Sequence, residues 1–222
     1  MSAPTPVSSH TIETAYQRLA PLYDSIYGAL LQPGRRCAMA ALAPQAGERI
    51  LEVGVGTGFG IADYPPLCRV VGVDLSAPML ARAAVRRRAN SLSHVALCRM
   101  DALRLAFPDA SFDAAYAPYL INVVPDPIQV AREMMRVCRP GGRLVFLNHF
   151  AGVLDAGGVV NRLAGRVATW LTAVDWHLDL GEFQRGTGLR IESIEAVNFG
   201  GVSAVVVCRL ETGEASPAAS HG

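Results

Sequence analysis

Apolar residues along this chain come in strand-length runs separated by stretches with helical spacing, the pattern of a doubly wound α/β sheet. Strands are predicted at 49–54, 69–74, 95–100, 112–117, 143–149, 190–197 and 202–209. Between them, helices are predicted from Pro78 to Arg88 and from Pro127 to Cys138. The second has Asp126 as N-cap and Pro127 at the first helical position. It ends at Arg139-Pro140-Gly141-Gly142, where proline removes a donor and glycine permits positive φ. The last two runs, joined by Gly200-Gly201, read as a hairpin whose final strand is antiparallel and forms the sheet edge. The expected class is α/β, a seven-stranded, mostly parallel sheet with helices on both faces.

Ahead of the first strand, Ile12, Tyr16, Leu19, Tyr23, Ile26, Tyr27 and Leu30 recur at spacings of three and four, giving an aromatic-rich helical face. Pro21 divides it into two short helices. Arg35 and Arg36 follow, and apolar residues beside arginines suit an interfacial helix on anionic lipid, or else a lid over the sheet. Asp155 to Val174, with Arg162, Arg166 and Trp170, is a second amphipathic stretch. Arg86-Arg87-Arg88 reads as a solvated helix end that adds to the same basic surface. Residues 1–8 and 211–222 are small and polar and are expected to be disordered, leaving 9–36 as a lid or membrane segment and 37–210 as one domain.

The first strand ends in a glycine turn, and its chemistry is specific. Gly54, Gly56 and Gly58, with Thr57 between the last two, let the backbone bend and approach a ligand closely. Asp74 closes the second strand, where a carboxylate accepts from ribose hydroxyls. That layout suits a nucleoside. The spacing differs from the dinucleotide fingerprint, and Glu52 at the end of the first strand would repel a pyrophosphate. A cationic ligand without phosphate fits better.

Composition narrows the partners. A formal net charge of +1 with 18% charged residues gives no reason to expect nucleic acid, and every basic residue apart from histidine is arginine. The five cysteines (Cys37, Cys68, Cys98, Cys138, Cys208) are scattered and lack metal or disulfide spacing, which favours a reducing cytoplasm. No signal peptide or membrane span is expected, yet 51% of residues are hydrophobic and mean hydropathy is +0.27, so some apolar surface is expected to meet something other than water. No metal-ligand cluster is visible, and no metal is expected. No Asn/Asp-Pro-Pro-Tyr motif is present, which argues against DNA bases as substrates.

The run Glu52-Val53-Gly54-Val55-Gly56-Thr57-Gly58, with Asp74-Leu75-Ser76 and the later segment RVCRPGGRLVF, resembles the class I S-adenosylmethionine-dependent methyltransferases, which are Rossmann-like. The resemblance implies S-adenosylmethionine as cofactor, without a metal, held by Glu52, Gly54, Gly56, Thr57, Gly58, Asp74, Leu75, Met79, Asp101, Ala102 and Ala117. Asp101 is then the acceptor for the adenine amine and Met79 packs on the adenine face, although each residue also suits a turn or the core. Asp113 begins a strand and reads as structural.

YQRLAPLYDSIYGALLQPGRR, APYLINVVPDP and LVFLNHF are similar to the bacterial phosphatidylethanolamine N-methyltransferases of the Rhodobacter type. This implies stepwise methylation of the ethanolamine amine to phosphatidylcholine by a monomer at the inner face of the cytoplasmic membrane. Tyr23, Tyr119 and His149 are then the candidate catalytic residues, and Tyr16, Tyr27 and Asn122 candidate substrate contacts, with aromatic faces suited to a cationic nitrogen. His149 takes a proton or holds the lipid phosphate, or else is a hydrogen-bonded pocket wall. His94 and His177 lack such context. Two alternatives stay open: a quinone C-methyltransferase, and a non-catalytic membrane sensor that binds the same cofactor.

Overall fold

A computed structural model describes residues 28–150, 178–198 and 203–212. Its elements are α1 (Gly28–Leu42), β1 (Arg49–Val53), β2 (Arg69–Asp74), α2 (Ala77–Ala89), β3 (Val95–Arg99), β4 (Phe112–Pro118), α3 (Pro127–Val137), β5 (Cys138–Asn148), α4 (Leu180–Thr187), β6 (Ile191–Val197) and β7 (Ser203–Arg209). One seven-stranded sheet runs β3-β2-β1-β4-β5-β7-β6. β1 to β5 are parallel neighbours, while β7 is antiparallel to both β5 and β6. The antiparallel final strand is as expected, but it lies one position in from the edge, and β6 is the outermost strand.

Alternation along the strands builds two cores, one on each face. Leu51, Ala115, Leu144, Phe146 and Val206 meet Val130, Ala131 and Met134 of α3 and Leu180 and Phe183 of α4. Ile50, Ala114, Tyr116, Val145, Leu147 and Val205 meet Ala38, Met39 and Leu42 of α1. Asp126 caps α3 by accepting from Gln129 N at 2.9 Å. Asp113 accepts from Arg49 N and Arg139 Nε at 2.8 and 2.6 Å, a structural tie at the start of β4.

Two boundaries depart from the sequence reading. Arg139 to Gly142 lie inside β5, where the β4–β5 register shifts between Phe112 and Ala114 and Gly141 takes φ 74°, so the proline-glycine step forms an irregularity in a strand instead of a loop. α1 runs unbroken across the boundary placed at residue 36, so Arg35 and Arg36 belong to a helix that covers the sheet. Tyr16, Tyr23 and Tyr27, the rest of the N-terminal face except Leu30, and the stretch from Asp155 to Val174 lie outside the described residues. Among the described residues no helix is long and apolar enough to cross a membrane.

Candidate active site

The strand order reverses between β1 and β4, and a cavity of about 210 Å³ opens there beyond the carboxyl ends of the strands. Its floor is the glycine turn. Gly54 and Gly56 take φ 76° and 54°, and a methyl group on Gly54 would come within 2.8 Å of Leu120. Gly58, at φ 79°, is set apart from the cavity: a methyl there would come within 3.0 Å of Ala83, so its role is close contact between the loop and α2.

Asp74 fixes the loop, because its two carboxylate oxygens accept from Gly56 N at 2.8 Å and Ser76 N at 2.9 Å. Ser76 in turn caps α2 by accepting from Met79 N at 3.4 Å. Burial pushes the Asp74 carboxyl up, while the backbone donors at Ser76, Gly56 and Leu75 pull it back. Met79, Leu75, Met100, Asp101 and Ala102 complete this end. Asp101 accepts from Leu103 N at 2.9 Å, so it serves its own turn as well as lining the cavity.

At the other end two opposite charges share the wall. Glu52 is 1% exposed and Arg35 8% exposed, and both line the cavity. Glu52 Oε2 and Arg35 Nη1 are each buried with no hydrogen-bond partner. Burial raises the Glu52 carboxyl to about 7, with the Arg35 guanidinium working in the opposite direction. Arg35 lies 4.9 Å from the Tyr119 ring centroid and 5.9 Å from that of Phe59. The other face of this corner is basic too, since Arg86 stacks 3.8 Å from the Phe59 ring and reaches Thr57 Oγ1 at 3.5 Å. Neither arginine serves as the exposed flank expected from the sequence.

The far wall is built by Tyr119, which lines the cavity and takes φ 55°, a backbone region bulky residues seldom enter. Its hydroxyl meets Asn198 Nδ2 at 3.0 Å and the Leu31 carbonyl at 3.4 Å. His149 lies behind it, 7% exposed, with ring centroids 5.7 Å apart. Asn122 is buried and exchanges two hydrogen bonds with the His149 backbone, at 3.0 and 3.2 Å. His149 and Asn122 are outside the cavity lining, and they shape it through Tyr119 and the turn after β5.

Glu52, Gly54, Gly56, Thr57, Asp74, Leu75, Met79, Asp101, Ala102 and Tyr119 therefore converge on one cavity. Ala117 does not: it is wholly buried in the core on the α3 face, and Pro118 and Tyr119 line the cavity in its place. Sequence reading missed Arg35, Phe59, Asn198 and Ser203. Helical spacing from Leu31 through Ala38 to Leu42 was a usable signal for Arg35, since it sets that residue on the inward side of α1. Among the described residues no group of His, Cys, Asp and Glu has metal-binding geometry.

Residues 51–146 match the family model for a methyltransferase domain. The chain is 38% identical to the phosphatidylethanolamine N-methyltransferase of Cereibacter sphaeroides, over 83% of this chain and 89% of that one. It is 36% identical to the demethylmenaquinone methyltransferase of Thermus thermophilus, over 67% of this chain and 70% of that one. Among solved structures, the [4+2]-cyclase SpnF superposes with a TM-score of 0.75 at 22% identity, covering 95% of this chain and 98% of that one. An S-adenosylmethionine-dependent methyltransferase from Aquifex aeolicus does so at 0.65 and 17% identity, covering 87% and 97%. These last two are likenesses of fold.

Proposed function

The chain belongs to the class I S-adenosylmethionine-dependent methyltransferases, and on that premise we propose that it methylates the amine of phosphatidylethanolamine and of its mono- and dimethyl forms. The likeness to the Cereibacter enzyme across most of both chains carries this reading. The demethylmenaquinone methyltransferase likeness favours a second reading, methylation of a quinone ring carbon.

The residues present fit the cofactor. Buried, unpartnered Glu52 Oε2 and Arg35 Nη1 on one wall complement an amino acid that carries both an ammonium and a carboxylate. The glycine turn leaves room that side chains would fill, and Asp74 stands where ribose hydroxyls need an acceptor. Glu52 and Arg35 would hold the methionine end, Asp74 the ribose, and Met79 with Asp101 the adenine. When bound, the cofactor supplies an electrophilic methyl on a sulfonium.

What remains for the chain's own residues is placement. The amine must enter with its lone pair free and in line, in a space closed to water. Tyr119, held rigidly from behind, supplies an aromatic wall that suits a nitrogen growing bulkier and more cationic with each transfer. Tyr16, Tyr23 and Tyr27 are the proposed remaining members of that wall. Catalysis at the inner face of the membrane by a monomer, without nucleic acid, belongs to the same reading.

Incubation with methyl-labelled S-adenosylmethionine and phosphatidylethanolamine vesicles tests it. Label in mono-, di- and trimethylated lipid is the expected result. Label only in an added demethylated quinone would replace it with the second reading, and no label in either, with cofactor still bound, would overturn both.

A further inference from the structure

Behind Tyr119 lies a hydrogen-bond chain whose directions can be assigned one step at a time. Gly34 N is 2.8 Å from Asn198 Oδ1. A backbone N–H only donates, so that atom must be the amide oxygen, and the remaining contacts of Asn198 are made by its NH₂ group. The two hydrogens of Nδ2 go to the Tyr119 hydroxyl at 3.0 Å and to Ser203 Oγ at 2.9 Å. Having accepted, the Tyr119 hydroxyl gives its own hydrogen to the Leu31 carbonyl at 3.4 Å. Ser203 is wholly buried, and its Oγ lies 3.2 Å from His149 Nδ1. Oγ accepts from Asn198 and keeps its own hydroxyl hydrogen to offer to that ring nitrogen, the direction that goes with a ring proton on Nε2.

We propose that Asn198 is a positioning residue of the reaction: one amide sets the direction of the Tyr119 hydroxyl and, through Ser203, keeps His149 Nδ1 an acceptor with the ring proton on Nε2. The role of Tyr119 in this proposal rests on the function proposed above; the directions of the hydrogen bonds do not.

The geometry supports a maintained arrangement. Asn198 and Tyr119 both hold left-handed backbone, at φ 65° and 55°, and they touch each other. The chain also ties three separate elements together: α1 through Gly34 and Leu31, the turn after β4 through Tyr119, and the ends of β6 and β7 through Asn198 and Ser203. One mechanistic consequence follows for His149. A ring with its proton on Nε2 donates from that nitrogen. It takes up a further proton only at Nδ1, after the Ser203 hydroxyl has turned away, so the ring acts as a donor and not as the base that receives the amine's proton.

The test uses the full chain labelled with ¹⁵N-histidine, with the His149 signals identified by their loss in His149→Gln. The wild type is expected to show an unprotonated Nδ1 and a protonated Nε2. Asn198→Gly, which keeps the left-handed backbone accessible, and Ser203→Ala are each expected to release this fixed tautomer. Both should leave cofactor affinity within about twofold and lower kcat for the labelled acceptor by about tenfold. Ser203→Thr, which restores the hydroxyl, should recover both the tautomer and kcat. A wild-type ring protonated at Nδ1 overturns the hydrogen-bond chain, and a tautomer that changes with kcat unaltered overturns the positioning role. If the wild type methylates no lipid, the substrate reading fails, while the ring spectrum still decides the chain.

Discussion

Asp74 Oδ2 and the backbone N–H of Gly56 lie 2.8 Å apart, so the acid that closes β2 holds the glycine loop in shape ahead of any ligand. With Ser76 N on its other oxygen, one carboxylate organises the loop and the cap of α2 and also lines the cavity. Asp74→Ala should therefore lose cofactor affinity by about 1.5–3 kcal/mol, through a loosened loop as well as a missing contact. Asp74→Asn, which keeps one acceptor oxygen, should lose less. Isothermal calorimetry with the cofactor decides between them.

Glu52 predicts a pH dependence. Its carboxyl is raised by burial from 4.5 to about 7 in the folded protein, so the ionised form that complements an ammonium is populated only as pH rises through about 7. Cofactor affinity should climb across that range and level off above it, and binding at pH 6 should release protons. Stability runs the other way: a raised folded-state value gives a contribution that is full below 4.5 and lost as pH rises through about 7, so the free protein should soften across that window and change no further from this group above it. Glu52→Gln should flatten both profiles, measured by calorimetry in buffers of different protonation enthalpy and by thermal melts.

Arg35 is the cation that opposes this shift. Arg35→Met should move the midpoint of the affinity profile upward from about 7, since the Glu52 carboxylate then has no neighbouring guanidinium to favour it. An affinity loss at every pH, about tenfold, should accompany it if Arg35 holds the carboxylate of the cofactor. A profile left in place would separate Arg35 from Glu52.

Gly34 sits where α1 crosses the polar chain. A methyl there would come within 2.8 Å of both Asn198 Nδ2 and the Tyr119 hydroxyl. Those atoms are held by Ser203 and Leu31 and do not retreat without breaking hydrogen bonds. Gly34→Ala, which in an open helix gains about 1 kcal/mol, should instead cost about 1–2 kcal/mol here. Chemical denaturation gives the sign.

The glycines of the turn divide by role. Gly58→Ala should destabilise the protein by about 1–3 kcal/mol, since it brings both a positive φ and a collision with Ala83. Gly56→Ala meets nothing closer than 4.0 Å, so it should cost stability only through the strain of its φ of 54°, about 1 kcal/mol, and act further on cofactor binding at the cavity that Gly56 lines. Melting temperature and calorimetry together separate the two.

Sequence alone reads what is written in backbone constraints. Strand alternation located all seven strands within a few residues, and the glycine turn and Asp74 were legible because only particular residues suit those φ values and that strand end. Arg35 was overlooked as a site residue because the two arginines were read together as one flank, although the spacing of Leu31, Ala38 and Leu42 turns Arg35 inward and leaves Arg36 exposed. Ala117 lies in the core because the strand reaches the cavity only at its last residue, Pro118, and at Tyr119 beyond it. Asn198 and Ser203 reach the site through the sheet order, which no local pattern records.

That order has a practical consequence. Because β7 runs against its neighbours, its first residue, Ser203, arrives at the ligand edge beside the last residues of β5 and β6. Asn198 and Ser203 therefore stand at the edge where Tyr119 lies, while the residues that line the cavity themselves run from Arg35 to Pro125. The wall and the support behind it are thus encoded in separable stretches of the chain. Substitution at the facing ends of β6 and β7 is a route to altering the setting of Tyr119 that leaves every lining residue in place.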